Sequence, residues 1–291
     1  MAPILVVRDV PSLRAAVAAA RARGERVAFV PTMGALHEGH LSLLDRARAH
    51  AACTVLSIFV NPLQFGANED LATYPRTEAA DLALAERRGC SIAFVPPVEV
   101  MYPGERVVSV VPGALADRWE GALRPGHFAG VLTVVAKLLN LVQPDVAIFG
   151  QKDFQQATLV RGMVRDLDVP VTIDVAPIVR EADGLAMSSR NRYLSPDERR
   201  LAGTLPRALA DAADAFAAGE GTVHGVLRSA AARLDAEPAI RLDYLAVVDP
   251  ATLVPRDDAV ARGDVVLLAA RVGATRLLDN HRLGDPSPLH P

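Results

Sequence analysis

Short, continuously apolar runs alternate with helical stretches over the first 177 residues, and this rhythm limits the fold more than any other feature. "VAFV" (27–30), "CTVLSIFV" (53–60), "SIAFV" (91–95), "DVAIFG" (145–150) and "VTIDVAP" (171–177) read as strands. Residues 10–24, 40–51, 77–89, 127–142 and 153–168 read as helices; in 40–51, for example, Leu41, Leu44 and Ala47 share one helical face. A strand that is apolar at every position has both faces covered, which implies a parallel sheet packed between helices. Two further segments, "PGERVVSVVPG" (103–113) and "ALADRWEG" (114–121), read as a strand and a short helix. The expected fold is α/β, a doubly wound parallel sheet binding ligands at the carboxyl ends of its strands.

Beyond about residue 180 the alternation stops. Two helices, roughly 196–218 and 222–236, precede apolar strands at 241–249, 265–273 and 275–280. Helices followed by strands predict a smaller α+β domain. The expected division is 1–179 and 180–291, with "HRLGDPSPLHP" as a frayed tail.

Composition removes several function classes. The net charge of −3 argues against a nucleic-acid partner and against a polybasic membrane patch. The amino terminus lacks the charged-then-apolar pattern of a secretory signal, and there is no run of about 18 apolar residues. Cys53 and Cys90 are far apart beside apolar runs, as expected of buried thiols in a reducing cytoplasm, and no metal-binding Cys/His cluster is present. The expectation is a soluble cytoplasmic protein.

Five segments carry candidate chemistry. In "PTMGALHEGH" (31–40) a strand hands over to a helix, and the spacing of His37 and His40 puts both on one side of its first turn. A helix N-terminus attracts anions and disfavours imidazolium, so neutral imidazoles there would donate to phosphate oxygens. The same pair also reads as one capping and one packing histidine. In "FVNPLQFGANED" (59–70), Asn61 and Gln64 follow a strand with amides able to read hydroxyls and a carboxylate, in a loop shaped by Pro62, Gly66 and Asn68. A polar turn is the plainer alternative. "FGQKDFQQ" (149–156) holds Lys152, one of only two lysines among 31 basic residues, and three of five glutamines. A chain that uses arginine elsewhere keeps lysine where a compact point charge is needed. Asp153 could cap the helix whose first turn holds Gln155 and Gln156. "MSSRNRYLS" (187–195) offers serine and guanidinium donors to phosphates, or a helix cap followed by a surface arginine. Arg124 and His127 precede the apolar helix 127–142, in which Lys137, the second lysine, reads equally as a snorkelling side chain. Neither a G-x-S-x-G elbow nor a G-x-x-x-x-G-K-[ST] loop occurs, which points away from acyl-enzyme and P-loop chemistry and towards another phosphoryl chemistry on a nucleotide.

The blocks "PTMGALHEGHLSL", "FVNPLQFG", "YPRT", "RPGHFAGVLTVVAKLLN", "FGQKDFQQ", "MSSRNRYLS" and "TRLLDN" stand in the order found in the pantothenate synthetase (pantoate–β-alanine ligase) family, and the resemblance runs from about residue 27 to 280. That family belongs to the H-x-G-H nucleotidyltransferases; "HEGH" fills that role here, and "MSSR" resembles the superfamily's mobile K-M-S-K-S segment. The resemblance implies a Rossmann-type first domain, a smaller C-terminal lid domain, a homodimer, ATP as a substrate with Mg²⁺, and no bound organic cofactor. It implies that pantoate and ATP form pantoyl-adenylate, which β-alanine converts to pantothenate and AMP. Carried over residue by residue, it assigns His37, with His40 and Lys152, to catalysis, His37 at the family's proton-donor position. It assigns Met33, Gly34, His37, His40, Gly150, Lys152, Asp153, Val179, Met187, Ser188, Ser189 and Arg190 to ATP. Met33, Asn61, Gln64 and Gln156 fall to pantoate, and Gln64 also to β-alanine. The sequence departs from the family pattern at Ala67, where proline is common, at Leu139, where an aromatic is common, and at Ala80, one of a usual pair of acids. With only Asp81 left of that pair, no protein ligand of Mg²⁺ is assigned. A related nucleotidyltransferase that leaves the nucleotide on its product, and a catalytically silent nucleotide sensor, are the competing readings; amine-dependent release of AMP separates all three.

Overall fold

The structure, a computed structural model, describes residues 3–67 and 69–289. Asn68, one of the loop-shaping residues, lies outside the described residues. The chain divides into two compact units, Met1–Gln151 with Gln155–Pro177, and Lys152–Phe154 with Ile178–Pro291.

The first unit is the α/β part. Its strands are β1 (Leu5–Val7), β2 (Val27–Thr32), β3 (Cys53–Ile58), β4 (Ile92–Phe94), β5 (Val146–Gly150) and β6 (Thr172–Ala176). Its helices are α1 (Val10–Ala22), α2 (Glu38–His50), α3 (Glu78–Arg87), the single turns α4 (Val98–Met101) and α5 (Glu120–Leu123), α6 (His127–Val142) and α7 (Phe154–Asp166). The strands form one parallel sheet in the order β1-β4-β3-β2-β5-β6. Successive strand residues supply opposite faces. Val27 and Phe29 join Leu13, Val17, Val131 and Val160 of α1, α6 and α7 in one core, while Ala28 and Val30 join Leu41, Leu44 and Ala85 of α2 and α3 in the other. Two-sided burial explains why these strands are apolar throughout.

The strand order places the site. From β2 the sheet grows outward through β3 and β4, then resumes on the other side of β2 with β5 and β6. The reversal lies between β2 and β5, which pair through Ala28–Val146 and Phe29–Ala147. Open α/β sheets bind ligands outside the carboxyl ends of the strands at such a reversal. The segments after β2, β3 and β5 hold the histidines, the amides and the lysine.

The second unit has α8 (Pro196–Ala202), α9 (Thr204–Ala217) and α10 (Val223–Asp235) packed on the antiparallel sheet β7 (Ile240–Val248), β8 (Val265–Val272) and β9 (Thr275–Arg282).

Five local features differ from expectation. The short helix expected over 114–121 is a 3-10 turn, Ala114–Asp117, and the separate single turn α5, parted at Trp119, whose φ is 51°. Residues 103–113 form no strand. Val107 is 93% exposed and Val108 78%, so this β-branched run finds no ladder partner among the described residues, and Val110 N–H donates instead to Thr133 Oγ1 at 3.0 Å. The three-residue strand β1 joins the sheet edge unforeseen. The helix expected over 196–218 is two helices that meet at Gly203. The tail is packed through residue 289: His281 belongs to β9, Leu283 is buried, and its N–H donates to Asp264 O at 2.8 Å.

Candidate active site

The backbone after β2 makes a sharp turn before α2. Gly34 (φ 82°) and Ala35 (φ 51°) are both left-handed, and alanine is strained there. Three groups hold the turn. Thr32 Oγ1 donates to Ser57 O at 2.7 Å and accepts from Gly34 N–H at 3.2 Å. Asp81 of α3, 2% exposed, accepts from Ala35 N–H at 2.9 Å and Leu36 N–H at 2.8 Å. Thr77 Oγ1 donates to the same carboxylate at 3.1 and 3.2 Å. A Cβ on Gly34 would sit 3.0 Å from Asp81 Oδ2 and from Ile58 Cγ2, so the carboxylate requires glycine at 34.

This turn delivers His37 as the N-cap of α2 and His40 one turn on. Gly39 N–H donates to His37 Nδ1 at 3.1 Å, and His37 N–H donates to His40 Nδ1 at 3.4 Å. The ring centres are 4.1 Å apart. Both Nδ1 atoms accept from backbone, so a neutral ring carries its proton on Nε2. The capping and phosphate-donating readings of the pair are therefore compatible. Nδ1 builds the cap, which leaves the proton of a neutral ring on Nε2.

After β3, the 3-10 turn Pro62–Gln64 carries Gln64. Gln64 Nε2 lies 3.2 Å from Met33 Sδ, so two of the four residues expected to meet pantoate are adjacent. Asn61, expected beside them, is 1% exposed and fully used. Its Oδ1 accepts from Leu63 N–H at 3.3 Å and Tyr102 O–H at 2.8 Å, while its Nδ2 donates to Gln64 Oε1 at 3.0 Å and Gly130 O at 3.1 Å. Arg124 and His127 hold the same turn from behind. His127 Nδ1–H donates to Gln64 O at 2.8 Å, and Arg124 Nη1–H donates to His127 Nε2 at 3.0 Å. Arg124 also makes a two-point ion pair with Glu69 at 2.7 and 2.6 Å. Burial, reinforced by the Arg124 charge, pushes the His127 pKa down to about 4, so this ring is neutral. At Gly130 any Cβ would meet Leu63 O at 2.1 Å, so α6 lies directly against the turn.

The two adjacent glutamines separate by role. Gln155 is buried, accepts from Glu120 N–H at 3.0 Å and donates to Leu115 O and Arg118 O at 3.0 and 2.9 Å; it fastens the preceding segment. Gln156 is half-buried and makes no side-chain hydrogen bond among the described residues. Gly150 ends β5, with open space where a Cβ would be.

The second unit contains the remaining candidates. Lys152 Nζ lies 3.8 Å from the exposed Asp153, and Lys152 O accepts from Asn280 Nδ2 at 3.0 Å. Val179 O accepts from Met187 N–H at 2.9 Å, closing a loop that returns to Ser188, Ser189 and Arg190. Ser188 Oγ accepts from Arg190 N–H at 3.3 Å and caps the 3-10 turn Ser189–Tyr193. Asn191 donates to Glu181 Oε1 at 2.6 Å, Arg199 pairs with Glu181 and Asp183, and Arg180 makes a two-point pair with Asp279 at 2.7 and 3.0 Å. Asn191 and Asp279 lie inside the quoted blocks "MSSRNRYLS" and "TRLLDN" without having been singled out, and no motif marked Arg180, Glu181, Asp183 or Arg199; each is an ordinary polar residue made important by packing.

The fit to a protein-held metal is poor. Both Asp81 oxygens are engaged by backbone and Thr77, and among the described residues no group of three His, Cys, Asp or Glu could hold an ion. Among them, too, no helix is long and apolar enough to cross a membrane.

Known proteins with this arrangement agree. The family model described as pantoate-beta-alanine ligase matches residues 5–282. A pantothenate synthetase of Acidothermus cellulolyticus is 56% identical over 279 residues, 95% of this chain and 90% of that protein. One from Rhizorhabdus wittichii is 50% identical over 285 residues, 97% and 99% of the two chains. The solved Thermus thermophilus enzyme superposes with a TM-score of 0.91 at 48% identity, covering 99% of this chain and 100% of that one. A Francisella tularensis pantoate-beta-alanine ligase solved with beta-gamma ATP and β-alanine superposes with a TM-score of 0.78 at 29% identity, covering 96% and 97%. With its H-x-G-H turn at the sheet's reversal point and this likeness over nearly its whole length, the chain belongs to the pantoate–β-alanine ligase (pantothenate synthetase) family.

Proposed function

We propose that the two half-reactions of this ligase are carried by the residues described above. A pantoate carboxylate oxygen attacks the α-phosphorus of ATP, and the bond to the β-phosphate oxygen breaks to release pyrophosphate. The β-alanine amine then attacks the acyl carbon, the bond to AMP breaks, and the amide of pantothenate forms. The first step gathers negative charge on α-phosphate oxygens, so donors aimed at them act more strongly in the transition state than in the ground state. His37 and His40 supply Nε2–H at a helix N-terminus, whose dipole has the same sign of effect. The backbone-fixed tautomer of these two rings carries this reading.

Lys152 acts as a point charge on the phosphates, and Ser188, Ser189 and Arg190 take the β- and γ-phosphates. Met33, Gly34, Gly150, Asp153, Val179 and Met187 contact the nucleotide. Gln64 and Gln156 hold pantoate, with Met33 against its methyl groups and Asn61 behind Gln64; Gln64 also meets β-alanine. The C-terminal unit serves as a lid that excludes water from the anhydride. Magnesium enters with ATP as the counter-ion of its phosphates, since Asp81 is spent on the turn. The protein works in the cytoplasm, in keeping with its two buried free thiols.

The same reading includes a homodimer. The run Val107-Val108-Ser109-Val110-Val111, exposed except at the half-buried Val110, is symmetric about Ser109, so antiparallel pairing of two copies would set valine against valine across a two-fold axis. Val108→Lys is expected to turn a dimer into a monomer by sedimentation; an unchanged dimer contradicts that surface. The function itself is tested with ATP, Mg²⁺ and pantoate, with and without β-alanine. AMP release that requires both substrates supports the ligase, and pyrophosphate with the nucleotide retained on another acceptor contradicts it.

A further inference from the structure

Behind Gln64 lies a chain of directional hydrogen bonds whose sense is set by backbone. Leu63 N–H can only donate and Gly130 C=O can only accept, so together they fix which end of the Asn61 amide is oxygen and which is nitrogen. Asn61 Nδ2 therefore faces Gln64, and the Gln64 atom that meets it must be Oε1. Gln64 is left with its NH₂ directed away from Asn61, 3.2 Å from Met33 Sδ. The second acceptor position of Asn61 Oδ1 is filled by Tyr102 O–H at 2.8 Å. Tyr102 is partly buried, its ring lies 6.0 Å from that of Phe59, and Lys137 Nζ stands 5.7 Å from its ring centre. Lys137 thus has a place on the aromatic face of this chain. Burial pushes the Tyr102 phenol pKa up to about 12, so it stays protonated through the working range.

We propose that Tyr102 is a positioning residue, which holds Asn61 so that Gln64 presents only hydrogen-bond donors to the substrate. The proposal rests on Gln64 being a pantoate contact, and it adds a rule of specificity: the substrate atom that meets Gln64 is an acceptor, a carboxylate oxygen or a hydroxyl lone pair. Asn61 has no donor or lone pair left for substrate, so it acts through Gln64 as well.

A double-mutant cycle with Tyr102→Phe and Gln64→Ala tests this, reading kcat/KM for pantoate from the slope below saturation, so that weak variants remain measurable. Tyr102→Phe alone is expected to lower this value about five- to tenfold, the worth of one buried neutral hydrogen bond, with kcat/KM for ATP within about twofold of wild type. In the Gln64→Ala background the same change is expected to have less than about a twofold effect. An equal loss in both backgrounds, or an equal loss towards ATP, overturns the positioning role. If Gln64→Ala itself leaves kcat/KM for pantoate unchanged, the assignment of Gln64 fails, and the proposal falls with it.

Discussion

In the proposed reading one side chain, His37, takes both a structural and a chemical role. Its Nδ1 accepts from Gly39 N–H and caps α2, and this leaves the proton on Nε2. His37→Ala should lose about 1 kcal/mol of stability as a lost cap, yet slow adenylation about 100-fold or more as a lost transition-state donor. Chemical denaturation read beside a single-turnover assay separates the two. Asp81 makes a second case. Asp81→Ala leaves two N–H groups and the Thr77 hydroxyl without their buried acceptor, and it should cost about 2–4 kcal/mol by urea unfolding. His127 gives a pH dependence. Its pKa in the folded protein, about 4, lies below its ordinary 6.5, so the unfolded chain binds the proton more readily. Its contribution is complete above pH 6.5 and drains away as pH falls towards 4, by up to about 3 kcal/mol. Urea midpoints at pH 7 and 4.5 should therefore lie closer together in His127→Gln than in wild type; equal separations contradict the assignment. The sequence singles out His37, Gln64 and Lys152 as candidates because their residue types carry chemistry. It was silent on Tyr102 and could not show what Asp81 does, because both act through partners 41 and 45–46 positions away.

Among the elements, α6 does most to fix the amide turn. Its Gly130 lies against Leu63 and Gln64, while Arg124 and His127 at its head hold the Gln64 carbonyl. Gly130→Ala forces the helix away from the turn. It should cost about 1–3 kcal/mol of stability as overpacking and lower kcat/KM for pantoate more than for ATP; equal losses towards both substrates would show that the contact does not specify pantoate. The bounds of α6 were legible to the residue, since sixteen residues with a long apolar face leave little choice. The run 103–113 was misread because β-branched residues favour a strand only when a neighbour is there to pair with, and the sequence does not say where neighbours are. The break at Gly203 also escaped, since the apolar pattern continues across it.

For the whole molecule, the alternation of apolar runs and helices predicts a parallel sheet with two covered faces, and the two cores confirm it. Periodicity could not supply the strand order, because it leaves no mark of which strand lies beside which. Yet that order puts the reversal between β2 and β5 and gathers the strand ends bearing the histidines and amides along one edge of the sheet. In the proposed mechanism, catalysis of the first step comes from phosphate donors fixed at this edge and from the Lys152 charge. Rapid-quench measurement of pantoyl-adenylate formation from ATP, Mg²⁺ and pantoate, without β-alanine, tests it directly in wild type, His37→Ala and Lys152→Ala. The predicted result is adenylate in a single turnover for wild type, slowed about 100-fold or more in each variant, with thermal midpoints shifted by only a few degrees. Near-normal adenylation in both variants would contradict the claim.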